Sequence, residues 1–210
     1  MYRDRTDAGE KLARVVDAHD VAADIVLAIP RGGVPVGRIV ADLLGTPLDI
    51  IVARKLGAPG NPELAIGAVA ADGSVWRNEM LIDSLGVTEG YLEETIAKER
   101  ENAHEKAERY RGKRETPDLN DKRVVIVDDG IATGATALAC VRLAKAAGAS
   151  RVILAVPVSS ESGAERLMSE ADEVICEMTP AYFTAVGQFY ETFEQVTDEA
   201  AMSALDGYFE

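Results

Sequence analysis

The stretch VVIVDDGIATGAT, residues 124–136, decides the fold. Its first four residues are apolar and β-branched, the composition of a strand buried on both faces. Two carboxylates, Asp128 and Asp129, end that run, and a turn of Gly, Ala and Thr leads into an Ala-rich pattern of helical period. Strand, turn and helix in this order bring backbone N–H groups and the positive end of a helix dipole to one point, where a phosphate can sit. Thr133 and Thr136 supply hydroxyls, Gly134 lets the backbone approach a ligand, and Ala132 and Ala135 keep side chains out of the way. Asp128 and Asp129 stand just upstream, where they can accept hydrogen bonds from sugar hydroxyls or order a hydrated Mg²⁺. Being consecutive at a strand end, their side chains start toward opposite sides. By itself TGAT reads first as a Thr-capped helix start; directly behind VVIVDD it reads as a phosphate turn.

Working outward, DIVLAI (residues 24–29) is a buried strand ended by Pro30-Arg31-Gly32-Gly33, and VPVGRIVADLLG is a helix closed by Gly45 and Pro47. LDIIVA (48–53) is a second buried strand. RKLGAPGNPELA (54–65), with its Gly and Pro residues, reads as a long mobile loop. IGAVA, a turn at Asp72-Gly73 and SVWRN then suggest a hairpin. Residues 88–110 form a long charged helix with a narrow apolar stripe at Leu92, Ile96, Ala103 and Ala107, its charge reading as a solvated face. After the signature strand come a helix near 134–147, the buried strand RVILAVPV, a helix near 163–171 and the short strand EVIC. Leu12, Val15 and Val16 mark an amphipathic helix at the start. Strands alternating with helices predict an α/β fold, a mainly parallel central sheet flanked by helices, with ligands at the carboxyl ends of the strands. The PRGG turn, Arg54-Lys55 and the turn after Asp128-Asp129 all fall at such ends, so they are expected to converge on one crevice.

Each polar loop has its own chemistry. In PRGG, Arg31 offers a fork of donors suited to phosphate oxygens, and Gly32 and Gly33 permit unusual torsions and close approach to a ligand. Arg54 and Lys55 open the Gly/Pro loop, where a lid bearing cations would stabilise a leaving group and exclude water. The C-terminal segment AYFTAVGQFYETF is rich in aromatics, which read first as packing or a dimer contact and second as a stacking surface. Neither His19 nor His104 has a partner nearby in sequence, and neither is given a role.

Composition bounds the rest. The chain has 210 residues, 47% of them hydrophobic, enough for one domain. A net charge of −14 opposes a nucleic-acid partner but permits an anionic substrate held by a few placed cations. No apolar run approaches the ~20 residues needed to span a bilayer, and MYRDRTDAGEK does not read as a signal peptide, so a soluble cytoplasmic protein without a membrane partner is expected. Cys140 and Cys176 lack metal-type spacing and read as small apolar residues.

The chain resembles the type I phosphoribosyltransferases, whose signature is an apolar strand, two acidic residues and a T-G-x-T turn. PRGGVPVG, ARKLGAPGNPELAIGAV and AVGQFYETFEQVTDE extend the likeness, from about residue 3 to 206, to a group of predicted phosphoribosyltransferases of unassigned acceptor. The resemblance implies that Ile131, Ala132, Thr133, Gly134, Ala135 and Thr136 hold the 5-phosphate of phosphoribosyl pyrophosphate (PRPP). It implies that Asp128 and Asp129 contact the ribose hydroxyls and position Mg²⁺, mostly through PRPP or water. Arg31, Gly32 and Gly33 would form the pyrophosphate loop, with a cis peptide near Arg31-Gly32. Arg54 and Lys55 would belong to the flexible catalytic loop, and Arg31, Arg54, Lys55 and Asp129 would be the catalytic set. Residues 178–210 would form a hood over the acceptor within a single domain, 1–210, and a homodimer, common among relatives, is allowed. Hypoxanthine/guanine-type enzymes carry an acidic residue where this chain has Ala132, which argues against a 6-oxopurine; adenine-type enzymes resemble the chain there. The expected activity is transfer of ribose 5-phosphate from PRPP to a nitrogenous acceptor such as a nucleobase. The alternative is a non-catalytic PRPP or nucleotide sensor, which would need no leaving-group cations. A dinucleotide-binding domain is a weaker rival, because PRGGVPVG lacks the G-x-G-x-x-G spacing.

Overall fold

The apolar runs pair as parallel strands in the computed structural model, which describes residues 1–112 and 115–206. The last four positions of the expected hood segment lie outside the described residues. Strands β1 (Ile25–Ala28), β2 (Leu48–Ile50), β6 (Arg123–Val127), β7 (Arg151–Val158) and β8 (Glu173–Met178) form one five-stranded sheet, ordered β2-β1-β6-β7-β8. Every neighbouring pair in it is parallel, with Val26 beside Val125 and Ile126 beside Leu154.

The two-residue period of a strand divides β6 between two cores. Val125 and Val127 pack with Leu12 and Val16 of α1 (Arg5–Ala18) and Val36 and Val40 of α2 (Gly33–Leu44). Val124 and Ile126 pack with Leu138 and Val141 of α5 (Ala135–Ala146) and Leu167 of α6 (Glu161–Met168). Covering both faces in this way makes the sheet's C-terminal edge the open end.

Between β2 and β6 the structure corrects the sequence reading. Residues 54–65 are not a mobile loop. They form most of β3 (Ala53–Ala58) and the start of β4 (Asn61–Ala70), antiparallel partners in a three-stranded sheet completed by β5 (Val75–Arg77). Pro59 and Gly60 are its tight turn: Ala58 pairs with Asn61, and Gly60 takes φ +74°, which a Pro-Gly turn requires. Leu56, Ile66 and Val69 are buried against Ile82 of α3 (Glu79–Leu85), a helix the sequence reading omits, and Leu92 of α4 (Glu89–Arg111). The second expected hairpin, through Asp72-Gly73, is present as the β4–β5 pair.

Helix α4 is capped at its start by Thr88, whose hydroxyl accepts from Tyr91 N. Near its other end Arg111 is tied to β2: Nε lies 3.0 Å from Asp49 Oδ1, and a guanidinium N–H donates to Ile50 O at 3.0 Å. A last helix, α7 (Asp198–Leu205), packs on α2 and α4.

The C-terminal aromatics are mainly packing. Tyr2 and Tyr190 bridge in parallel, and Tyr190 lies against Phe193 with ring centroids 4.8 Å apart. Tyr182 alone of this set is almost bare, 90% exposed. Exposed His19 does have a partner, Glu173 Oε1 at 2.9 Å, which reaches it from β8 across a gap in sequence that local reading cannot see. Cys140 is buried and Cys176 half-buried, both free. No helix is long and apolar enough to cross a membrane among the described residues.

Candidate active site

Strand β6 delivers its two carboxylates to the open edge of the sheet, and they are held differently. Asp128 Oδ1 turns back to accept from Asp129 N at 2.8 Å. Asp129 Oδ2 lies 2.8 Å from Arg5 Nε, with both side chains only 13% exposed, and Tyr190 Oη donates to Asp129 O at 2.5 Å.

The PRGG turn lies directly against this pair. The backbone of Gly32 is ordinary helix, φ −60° and ψ −36°, so this residue makes no use of the torsional freedom of glycine. What its position requires is space: a Cβ there would stand 2.1 Å from Asp129 Oδ2. At Gly33 a Cβ would stand 2.6 Å from Val127 O. The glycines let the chain pass close to its own carboxylates. A cis peptide does occur in this turn, at Pro30–Arg31, one bond before the expected place.

Helix starts carry a second pattern. Helices α1, α3, α4, α6 and α7 each begin with a side chain, from Asp4, Asn78, Thr88, Ser160 and Thr197, accepting a backbone N–H. Helices α2 and α5 begin at Gly32 and Gly134 with no such cap. These are the helices that follow the two loops expected to hold phosphate oxygens. At α2 the first N–H groups are used inside the turn, Gly33 N donating to Ile29 O at 3.0 Å and Val34 N to Arg31 O at 3.1 Å, whereas at α5 Ala135 N makes a long 3.5 Å contact to Thr133 Oγ1, which an anion could replace. The turn before α5 is fixed from behind: Ile131 N donates to Val158 O at 2.8 Å, and Ser160 Oγ donates to Ala132 O at 2.5 Å. Ala132, Thr133, Ala135 and Thr136 face solvent, while Ile131 and Gly134 are buried.

A cleft of about 680 Å³ opens beside Asp129 and is lined by Arg31, Gly32 and Arg54. The structure thus brings these four sequence-selected residues together. Lys55, Ala135 and Thr136 line an adjoining groove, which shares Arg54 with the cleft. The expected single crevice is two connected ones, because Arg54 and Lys55 are successive strand residues and point to opposite faces.

Sequence reading missed the other cleft residues. Helix α4 contributes Asn102, Glu105, Lys106 and Arg109, so its charge is not only a solvated face; α1 contributes Arg5, and α7 contributes Asp198. Arg31 pairs with Asp198 at 3.3 Å, Arg54 with Glu99 at 3.0 Å, and Tyr110 Oη donates to Asp198 Oδ1 at 2.9 Å. One signal was available: Lys106 sits three residues after Ala103 and four before Tyr110, on the buried stripe. Phe193 also lines the cleft, but Arg5 stacks over its ring at 4.1 Å and Tyr190 packs against it, which leaves little of it for a planar ligand.

Burial, and then the charge of Asp129, push the Asp128 carboxyl well above the usual carboxylate range. The folded chain therefore holds that proton more tightly than the unfolded chain does. The contribution favours folding in full below the ordinary carboxylate pKa and is lost as pH rises through the raised one. Asp128→Asn is therefore expected to raise the thermal unfolding midpoint at neutral pH, with the advantage shrinking as pH falls into the acid range; melts across pH check it.

An open-edged parallel sheet, two helices that start on glycine and a carboxylate pair between them define an α/β protein of the type I phosphoribosyltransferase fold. The chain matches the phosphoribosyl transferase domain over residues 4–191, and it belongs to that family. It is 43% identical over 206 residues to two Mycobacterium tuberculosis proteins, from strains CDC 1551 and H37Rv, provisionally named phosphoribosyl transferases. The match covers 98% of this chain and 46% of theirs, so the chain spans about half the length of these curated relatives. The crystal structure of TT1426 from Thermus thermophilus superposes with a TM-score of 0.92 at 40% identity, covering all of both chains. A Neisseria gonorrhoeae protein, solved with bound ppGpp, shares the fold at a TM-score of 0.53 and 13% identity over 97% of this chain and 96% of its own.

Proposed function

We propose that this chain transfers ribose 5-phosphate from PRPP to a nitrogenous acceptor and releases pyrophosphate. The observation that carries the reading is the placement of Asp128-Asp129 between two helices whose N-cap residue is glycine, each preceded by a loop that can receive phosphate oxygens. Family membership and the 40% identical TT1426 fold support it.

In this reading the backbone of residues 131–136 and the hydroxyls of Thr133 and Thr136 hold the 5-phosphate, with Lys55 on the same groove. Asp128 and Asp129 hold the ribose hydroxyls. Arg31, Gly32, Gly33 and Arg54 receive the pyrophosphate. The C1–O bond breaks with its electron pair leaving on pyrophosphate, and the acceptor nitrogen bonds to C1 and gives up its proton. The protein's part is positioning and stabilisation of developing charge in a partly dry cleft.

Among the described residues no three His, Cys, Asp or Glu side chains gather as a metal cage. Two adjacent carboxylates, one already bonded to Arg5, fit an Mg²⁺ that arrives on the polyphosphate and meets Asp128 or Asp129 directly or through water. Such an ion would neutralise pyrophosphate charge.

The test is pyrophosphate release from PRPP with Mg²⁺ across adenine, other purines, pyrimidines and small amines. Acceptor-dependent release is expected, with adenine favoured over 6-oxopurines because Ala132 puts no carboxylate at that position. PRPP binding without release for any acceptor would favour a sensor instead.

A further inference from the structure

We propose that Lys106 is a catalytic cation that takes the leaving pyrophosphate, an inference that rests on the phosphoribosyl-transfer reading above. Lys106 lies on the inner side of α4, between buried Ala103 and Tyr110, and lines the cleft with Arg31, Arg54 and Asp129. The neighbouring cations of the cleft are each tied to a carboxylate. Arg5 is paired with Asp129, Arg31 with Asp198, Arg54 with Glu99, and Arg109 with Asp198. Lys106 is different: partly buried, it has no hydrogen bond or ion pair with any described residue.

A partly buried ammonium with no carboxylate in contact is unfavourable, and the Arg54 and Arg31 guanidinium groups make it more so. Burial first, then the charge of Arg54, draw its pKa below the usual lysine range, while Asp128 acts in the opposite sense. Carboxylates are not scarce in a chain with 36 acidic and 22 basic residues. A fixed carboxylate could have been placed beside Lys106 as one was beside each Arg. With only Asp128 acting at a distance, a counter-charge in contact comes from outside, and a multiply charged anion in reach of Arg31 and Arg54 supplies it.

Pyrophosphate leaving C1 is that anion. As the C1–O bond lengthens, its electron pair collects on the departing oxygen. Lys106 stays protonated and donates a charge-assisted hydrogen bond to it, while the acceptor's proton goes to solvent. Helix α4, capped by Thr88 and anchored through Arg111 to Asp49, holds the ammonium on a rigid element, whereas Lys55 serves the adjoining groove.

Titration calorimetry with inorganic pyrophosphate and, separately, ribose 5-phosphate tests this on the wild type, Lys106→Met and Lys106→Arg. Lys106→Met is expected to weaken pyrophosphate binding by about tenfold or more, the scale of one charge-assisted hydrogen bond, and to lower kcat for pyrophosphate release. Its ribose 5-phosphate affinity should be unchanged, its unfolding midpoint equal or higher, and Lys106→Arg should recover most of the pyrophosphate affinity. Wild-type pyrophosphate affinity in Lys106→Met, or equal loss of both ligands, overturns the role of Lys106 and leaves the transfer reading standing. A wild-type chain that binds neither ligand overturns both.

Discussion

Asp129→Asn is expected to lower acceptor-dependent pyrophosphate release by about a hundredfold with the fold intact. The substitution keeps shape and one acceptor oxygen but removes the charge. In the proposed reaction that charge accepts hydrogen bonds from the ribose hydroxyls, and each charge-assisted bond contributes about 1.5–3 kcal/mol. Losing two such contributions in the transition state corresponds to about 10²-fold or more. Stability should change little, because burial and the Arg5 charge act on Asp129 in opposite directions. Gly32 makes room for this carboxylate, since a Cβ there would stand 2.1 Å from Asp129 Oδ2. Steady-state kinetics beside a thermal melt check it. Full activity in Asp129→Asn would remove the carboxylate from the mechanism.

The largest effect on stability is expected far from the chemistry, at Arg111→Leu. Arg111 and Asp49 are each 5% exposed and meet at 3.0 and 3.1 Å, with further guanidinium bonds to Thr116 Oγ1 and Ile50 O. Removing the guanidinium leaves the Asp49 carboxylate buried with its main counter-charge gone, which costs about 3–5 kcal/mol. In a chain of this size that lowers the unfolding midpoint by roughly 10 °C. The double substitution Asp49→Leu with Arg111→Leu should recover most of the loss, since an apolar pair of fitting volume replaces a buried ion pair at little net cost. Because Arg111 closes the helix that carries Lys106, the single variant should also weaken pyrophosphate binding. Chemical denaturation of the two single variants and the double variant measures the coupling.

Local chemistry explains what was legible. The runs at 25–28, 124–127 and 151–158 read as strands because both faces of a parallel sheet are apolar and β-branched residues suit it. The PRGG and GIATGAT turns were legible because Gly, Pro and Thr mark a turn through consecutive residues. Residues 54–65 were misread because Gly and Pro mark both a long loop and a tight hairpin turn. The partner that decides between them, β4, starts inside the run at Asn61, but its buried Ile66 lies just beyond it.

The sequence by itself determined the parallel sheet, the two glycine-containing turns and the carboxylate pair, because each is encoded in neighbours along the chain. Only the tertiary structure decided the cleft's charge. Arg5 reaches Asp129 across 124 positions, Asp198 reaches Arg31 across 167, and Lys106 comes from a helix whose pattern reads mainly as surface. Which cation is neutralised and which is left for a ligand depends on distances of about 3 Å between distant segments, where Coulomb energy and desolvation are largest. No periodicity along the chain carries those distances.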